Sequence, residues 1–149
     1  MKIGEICNRQ VVVIGQGESL LEAGRRMREN HVGCLVVVRK QEASRNPVGI
    51  LTDRDILMQV LSKGVALEKI GVEDIMVPDL FTAREEDGIY ETIRLMRRKG
   101  IRRMPVVDSR RDLVGIVTMN DLLKFLSEEV SRLADIFSRG RIIETVARP

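Results

Sequence analysis

Apolar positions fall along the chain in two rhythms, and the same order of rhythms occurs twice. Residues 11–14 are a β-branched run closed by Gly15-Gln16-Gly17, which predicts a strand and a turn. Ser19-Leu20-Leu21-Glu22 has the form of a capping box, and Leu20, Ala23 and Met27 follow at helical spacing. Residues 34–38 form a continuous apolar run, the pattern of a buried strand. A polar stretch over residues 39–47 reads as a hairpin loop, and residues 48–51 as the returning strand. Thr52-Asp53-Arg54-Asp55 then opens a second helix that stops near Gly64. The second half predicts strands near residues 80–83, 104–107 and 113–117, with helices over 89–99 and from Met119 onward.

The two halves superpose as sequence. At an offset of 69, Glu5-Ile6-Cys7 faces Asp74-Ile75-Met76, and Val37-Val38 faces Val106-Val107. At an offset of 66, Gly49-Ile50-Leu51-Thr52-Asp53-Arg54-Asp55 faces Gly115-Ile116-Val117-Thr118-Met119-Asn120-Asp121. The three extra residues fall in the polar stretch 39–46, where a loop tolerates insertion. A unit of roughly 65 residues is marginal alone, so two units sharing a buried face predict one pseudo-symmetric domain. The units run over residues 3–66 and 70–127. Residues 128–149 have no counterpart. An apolar series that starts within the second unit, Leu122, Leu126, Val130, Leu133 and Phe137, extends the last helix to about Gly140, with a frayed tail over 141–149.

These repeats resemble CBS domains, the motif named after cystathionine β-synthase. The resemblance spans residues 3–127. It rests on the two aligned segments from Gly49 and Gly115, on Ile101-Arg102-Arg103-Met104-Pro105-Val106-Val107-Asp108, and on the Asp74-Ile75-Met76 lead-in. It implies an α/β (α+β) fold: two repeats, each a three-stranded sheet with two helices, packed through their sheets, here with an extended C-terminal helix. It further implies a regulator that binds an adenosine nucleotide such as AMP, ADP or ATP, or S-adenosylmethionine, and that requires no cofactor. Such pairs commonly join in twos. A chain of this type is expected to form a homodimer and to act on a separate regulated protein.

The paired Thr-x-x-Asp segments suit such a ligand, because each lies where a strand hands over to a helix. Free backbone N–H groups and the positive end of the helix dipole favour a phosphate there. The hydroxyls of Thr52 and Thr118 can donate to phosphate or ribose oxygens, and an ionised carboxylate can accept both hydroxyls of a ribose. The resemblance assigns that ribose role to Asp55 and Asp121. The same pattern is also a plain capping box that needs no ligand. Arg54, Arg102 and Arg103 are candidate phosphate partners, since the guanidinium fork matches phosphate geometry. Asn120, within the second motif, joins the ligand set. By resemblance, adenine lies between the first and second strands of a repeat. Val12, Val13, Gly33 and Cys34 would line one slot, and Phe81, Thr82, Arg103 and Met104 the other. Gly33 and Cys34 stand where the second repeat has Arg102 and Arg103. Two unequal sites are therefore expected, the tighter one built on Thr118 and Asp121.

Composition narrows the remaining classes. The 149 residues are 44% hydrophobic with no Trp, one Tyr and three Phe, so the core is aliphatic. Nucleic-acid binding is prompted by a net charge of +3 and the arginines, but the chain lacks stacking aromatics and a long basic stripe. No apolar run approaches the ~18 residues of a membrane span, and the first residues lack a signal-peptide core. The cytoplasm is the expected compartment. Cys7 and Cys34 match no metal or redox spacing and read as buried free thiols. His31, the single histidine, reads as a helix C-cap, which leaves no triad and no metal cluster. Gly15-Gln16-Gly17 imitates a dinucleotide fingerprint, but Leu20 stands at its last glycine position. No enzyme is expected; the competing reading is a structural dimer whose Thr-x-x-Asp motifs only cap helices.

Overall fold

The structure is a computed structural model of the chain and describes residues 1–39 and 44–148. Each half folds in the same order. The first comprises β1 (Val13–Gly15), α1 (Leu20–Asn30), β2 (Cys34–Val38), β3 (Pro47–Thr52) and α2 (Asp53–Lys63). A short helix, α3 (Val72–Ile75), leads into the second. That half comprises β4 (Ala83–Arg84), α4 (Ile89–Lys99), β5 (Arg103–Val107), β6 (Leu113–Thr118) and α5 (Met119–Ala147). The sheets have orders β1-β2-β3 and β4-β5-β6, each with one parallel and one antiparallel pairing. Even the irregularities correspond: a register shift falls at Val37/Val38 and again at Val106/Val107.

The pattern of the central strands explains how the sheets are covered. Leu35 and Val37 enter the first core with Ile14, Leu20, Ala23 and Leu51. Met104 and Val106 enter the second with Ile89, Met96 and Val117. The residues between them, Val36 and Pro105, point to the opposite face and are buried as well. Both faces of each central strand are therefore closed, one by helices and one where the sheets pack together.

Several boundaries differ from the sequence expectation. The first strand begins at Val13, not Val11, and the fourth at Ala83, not Leu80. These are edge strands with short parallel ladders, although the Val12 carbonyl still accepts from Val36 N at 3.1 Å. The capping box of α1 is half formed. Ser19 Oγ accepts from Glu22 N, but the Glu22 carboxylate turns to Arg26 Nε at 2.9 Å. His31 does cap α1, in the left-handed conformation at φ 53°. The frayed tail is a correction: α5 runs through Gly140 to Ala147. One helical glycine costs only about 1 kcal/mol against Ala, and no proline intervenes before residue 149. The hairpin loop expected over 39–47, with its three-residue insertion, includes residues 40–43, which lie outside the described residues. At its far side Ser44 Oγ donates to Asp112 Oδ1 at 2.8 Å, and Leu113 N to the Arg45 carbonyl at 3.0 Å, tying one half to the other.

The lead-in segments are exchanged. Ile3 and Cys7, at the start of the first repeat, pack in the core of the second. Ile3 N donates to the Asp87 carbonyl at 2.8 Å, and Arg9 pairs with Glu85 at 3.2 Å. Reciprocally, Val72 is wholly buried in the core of the first, and its N–H donates to the Glu18 carbonyl at 2.9 Å. A glycine makes room for each crossing segment. A Cβ on Gly115 would stand 2.6 Å from Cys7 Sγ and 3.1 Å from the Asn8 carbonyl oxygen; one on Gly49 would stand 2.8 Å from Met76 Sδ. Gly115→Val is therefore expected to destabilise the chain by about 1–3 kcal/mol through overpacking. Urea unfolding with an unchanged midpoint would contradict that close approach.

Candidate functional site

The sequence places Thr52 and Thr118 at the ends of the third strand of each repeat, and the fold brings the two ends together. A cleft of about 460 Å³ is lined by Thr52, Asp53 and Arg54 from the first repeat. Arg102, Arg103, Thr118, Met119 and Asn120 line it from the second. The expectation of two separate sites is modified here, because the phosphate-type residues of both repeats face one shared cleft. Arg54, Arg102 and Arg103 are exposed and join no ion pair among the described residues. Three free guanidinium groups and two helix N-termini thus converge, opposed by the Asp53 carboxylate. Asp53 Oδ1 accepts from Arg54 N at 2.8 Å. Asp53 and Met119 were absent from the candidate ligand set. As the first residues of α2 and α5 they follow directly from the caps.

Asp55 and Asp121 sit half-buried behind this cleft. Asp55 Oδ2 accepts from Thr52 N at 2.9 Å, and Thr52 Oγ1 accepts from Asp55 N at 3.1 Å. Asp121 Oδ2 accepts from Thr118 N at 2.7 Å and also from the Thr118 hydroxyl at 2.7 Å. Both boxes are closed, so capping alone accounts for one oxygen of each carboxylate. The other oxygen, Oδ1, has no hydrogen-bond partner among the described residues in either aspartate. The repeats differ in one hydrogen bond. The Thr118 hydroxyl spends its hydrogen on Asp121, whereas the Thr52 hydroxyl only accepts and keeps its hydrogen for another group.

The residues expected around adenine divide. Val12 and Val13 line a recess of about 560 Å³ with Asn8, Gln10 and Asn30. Gly33 instead lines an apolar slot with Met27, His31 and Ile56, where a Cβ would meet Asp53 Oδ2 at 2.8 Å. Thr82 lines a recess with Asn46, Arg84 and Arg111. Phe81 packs on the second core under Lys99, whose Nζ is 4.4 Å from the ring centroid. Met104 is wholly buried in that core, so its side chain lines no slot. The register shows why: Cys34 pairs with Thr52 and Arg103 with Thr118, which makes Leu35 the counterpart of Met104.

Cys34 is half-buried, not buried as the apolar run implied; Cys7 is buried. Burial pushes the Cys34 thiol above its ordinary pKa; Arg103 opposes that rise, and Asp55 and Asp53 add to it. Burial likewise raises Cys7, against Arg9. Because the thiolate is the nucleophile, Cys34 is expected to alkylate more slowly at pH 7.5 in the folded chain than in the unfolded chain. Peptide mass spectrometry after timed iodoacetamide labelling reads this, and equal rates would refute it. Among the described residues no cluster of histidine, cysteine or carboxylate side chains is arranged to hold a metal.

Known proteins share this architecture. The CBS-domain family model matches residues 3–62 and 72–128. An uncharacterized protein of Methanopyrus kandleri is 36% identical over 124 residues, which are 83% of this chain and 62% of that protein's length. A homoserine O-acetyltransferase of Methanohalobium evestigatum is 31% identical over 126 residues, 85% of this chain but 24% of the enzyme. The crystal structure of the CBS domain pair of protein MJ0100, in complex with 5'-methylthioadenosine and S-adenosyl-L-methionine, superposes with a TM-score of 0.71 at 27% identity. That match covers 85% of this chain and 99% of the other. With two matched repeats, two corresponding sheets and one shared cleft, this chain belongs to the CBS-domain family, as a tandem pair continued by a long terminal helix.

Proposed function

We propose that the chain is a non-catalytic regulatory module that binds an adenosine-containing ligand in the cleft between its repeats. The observation that carries this reading is the convergence of Arg54, Arg102 and Arg103 with both Thr-x-x-Asp caps on one cleft. The arginines serve phosphate, and the Oδ1 atoms of Asp55 and Asp121 serve ribose hydroxyls. The ligands of the MJ0100 pair support the adenosine class. The physiological choice lies among AMP, ADP, ATP and S-adenosylmethionine, and the free arginines favour a phosphorylated one. Among the described residues, the ionisable groups lining the cleft are Asp53, Arg54, Arg102 and Arg103, a set suited to holding an anionic ligand in place. In this reading the protein is a cytoplasmic homodimer whose bound state is read by a separate protein. No helix among the described residues is long and apolar enough to cross a membrane.

A second reading has its own support, because both capping boxes close without a ligand. Under it the chain is a structural dimer and the motifs only start helices. Thermal unfolding with AMP, ADP, ATP and S-adenosylmethionine separates the two. A ligand at 100 times its Kd adds about 2.7 kcal/mol of native-state stability. A melting temperature raised by at least one of the four supports the regulatory reading. No shift with any of them at millimolar concentration overturns it.

The sites are proposed to be unequal. Arg102 and Arg103 favour the Thr118–Asp121 side, whereas the free hydrogen of Thr52 favours the other. Charge outweighs one neutral hydrogen bond, since hydrogen bonds to charged groups contribute about 1.5–3 kcal/mol against about 1 for neutral ones. Titration calorimetry should therefore give one tight site that Asp121→Asn removes. Loss of that site in Asp55→Asn alone would reverse the assignment.

A further inference from the structure

Helix α5 is too long for the repeat it closes. Every residue from Val130 to Arg148 is exposed, so this half of the helix buries none of its side chains against the other described residues. Yet it is not polar. Val130, Leu133, Ile136, Phe137, Ile143 and Val146 are 61–80% exposed and recur at intervals of three, four or seven residues. An isolated helix of this length is marginal in water, and most helical stability comes from packing an apolar face. The stripe also continues the exposed Leu123 and Leu126 of the repeat itself, and on α2 Leu57, the counterpart of Leu123, is likewise exposed, as is Leu61.

The charges along the segment are polarised. Residues 128–135 carry Glu128, Glu129, Arg132 and Asp135, a net charge of −2. Residues 138–148 carry Arg139, Arg141, Glu144 and Arg148, a net charge of +2. Glu129 pairs with Arg132 within its own helix; Glu128, Arg139 and Arg141 join no ion pair among the described residues. A segment acidic at one end, basic at the other and apolar along one side is complementary to itself reversed. Side by side in parallel, two copies would set like charges together. Antiparallel, the acidic half of each lies along the basic half of the other, and the two helix dipoles also oppose favourably.

We propose that residues 128–148 of α5 pair antiparallel with the same segment of a second copy of this chain, forming a two-helix clasp that specifies the geometry of the homodimer. The proposal rests on the dimeric reading given above, and the test separates the two. Dimer dissociation constants are measured by sedimentation for the original chain and three charge variants. Glu128→Arg with Glu129→Arg makes both halves basic, and Arg139→Glu with Arg141→Glu makes both halves acidic. Each pair of substitutions should weaken dimerisation by roughly tenfold or more at low salt. Combining all four on one chain reverses the polarity and should restore the original constant. Glu128, Arg139 and Arg141 are exposed and Glu129 is half-exposed, and circular dichroism verifies that each variant keeps its fold. If both paired variants dimerise like the original chain, the antiparallel clasp is wrong while the dimer stands. If the original chain is a monomer at tens of micromolar, the dimeric reading and the clasp fall together, and the stripe serves a different partner.

Discussion

A chain carrying Asp55→Asn and Asp121→Asn should lose adenosine-ligand affinity by roughly a hundredfold while keeping its fold. Each aspartate has two jobs. Oδ2 closes a capping box on Thr52 or Thr118, and Oδ1 is left over. Asparagine keeps one acceptor oxygen for the backbone N–H, so the helix start costs little, whereas alanine would remove a cap worth about 1 kcal/mol. What asparagine cannot supply is a second, charged acceptor for a ribose hydroxyl. Hydrogen bonds to charged groups contribute about 1.5–3 kcal/mol, and 1.4 kcal/mol is tenfold in affinity. Calorimetry against ATP, AMP and S-adenosylmethionine measures the loss. Unchanged binding in the double variant would mean that the ribose is held elsewhere and that these aspartates are caps alone.

Ile3→Asp should be among the most damaging single changes in the molecule, and its damage should appear in the wrong repeat. Ile3 is wholly buried, but against Ala83, Ile89 and Met104, residues of the second half. An unpaired carboxylate there has no partner and shifts toward the protonated form, at a cost of several kcal/mol. Hydrogen exchange should show protection falling first in β5 and β6, with β2 and β3 retaining theirs longer. Val72→Asp should give the mirror image, weakening β2 and β3 first. Loss of protection confined in each case to the sequence-adjacent sheet would contradict the exchange of lead-ins.

Much of this architecture was legible because the repeat made each weak signal count twice. Residues 34–38 were read to the residue as β2, and α4 was placed near its observed span of 89–99, since an apolar run flanked by turns and a strongly amphipathic stretch leave little freedom. Edge strands were read less well. Val11 and Val12 are as β-branched as Val13, and only the partner Val36 decides where the ladder begins. The exchange of lead-ins was not legible at all. Glu5-Ile6-Cys7 and Asp74-Ile75-Met76 showed that the segments correspond, but correspondence does not say which core receives each one. The same holds for the cleft. The sequence supplied Thr52, Arg54, Arg102, Arg103, Thr118 and Asn120 one by one, and the fold set them around one space. Met104 lies one position beyond Arg103 along β5, and its side chain therefore points to the opposite face, into the core.

Helix α5 has a mechanical side. It starts at the cap that Asp121 forms beside the cleft and runs unbroken for 29 residues. At a rise of 1.5 Å per residue that is a rod of roughly 43 Å, most of it clear of the body. Tilting such a rod by ~5° about its base would sweep its tip through ~4 Å, a distance comparable with a side chain. A ligand that shifts the Thr118 cap by a fraction of an ångström would thus be reported far from where it binds. Spin-label distances between the tips of two copies, with and without ATP, measure the stroke, and a tip that stays put would make the helix a fixed strut.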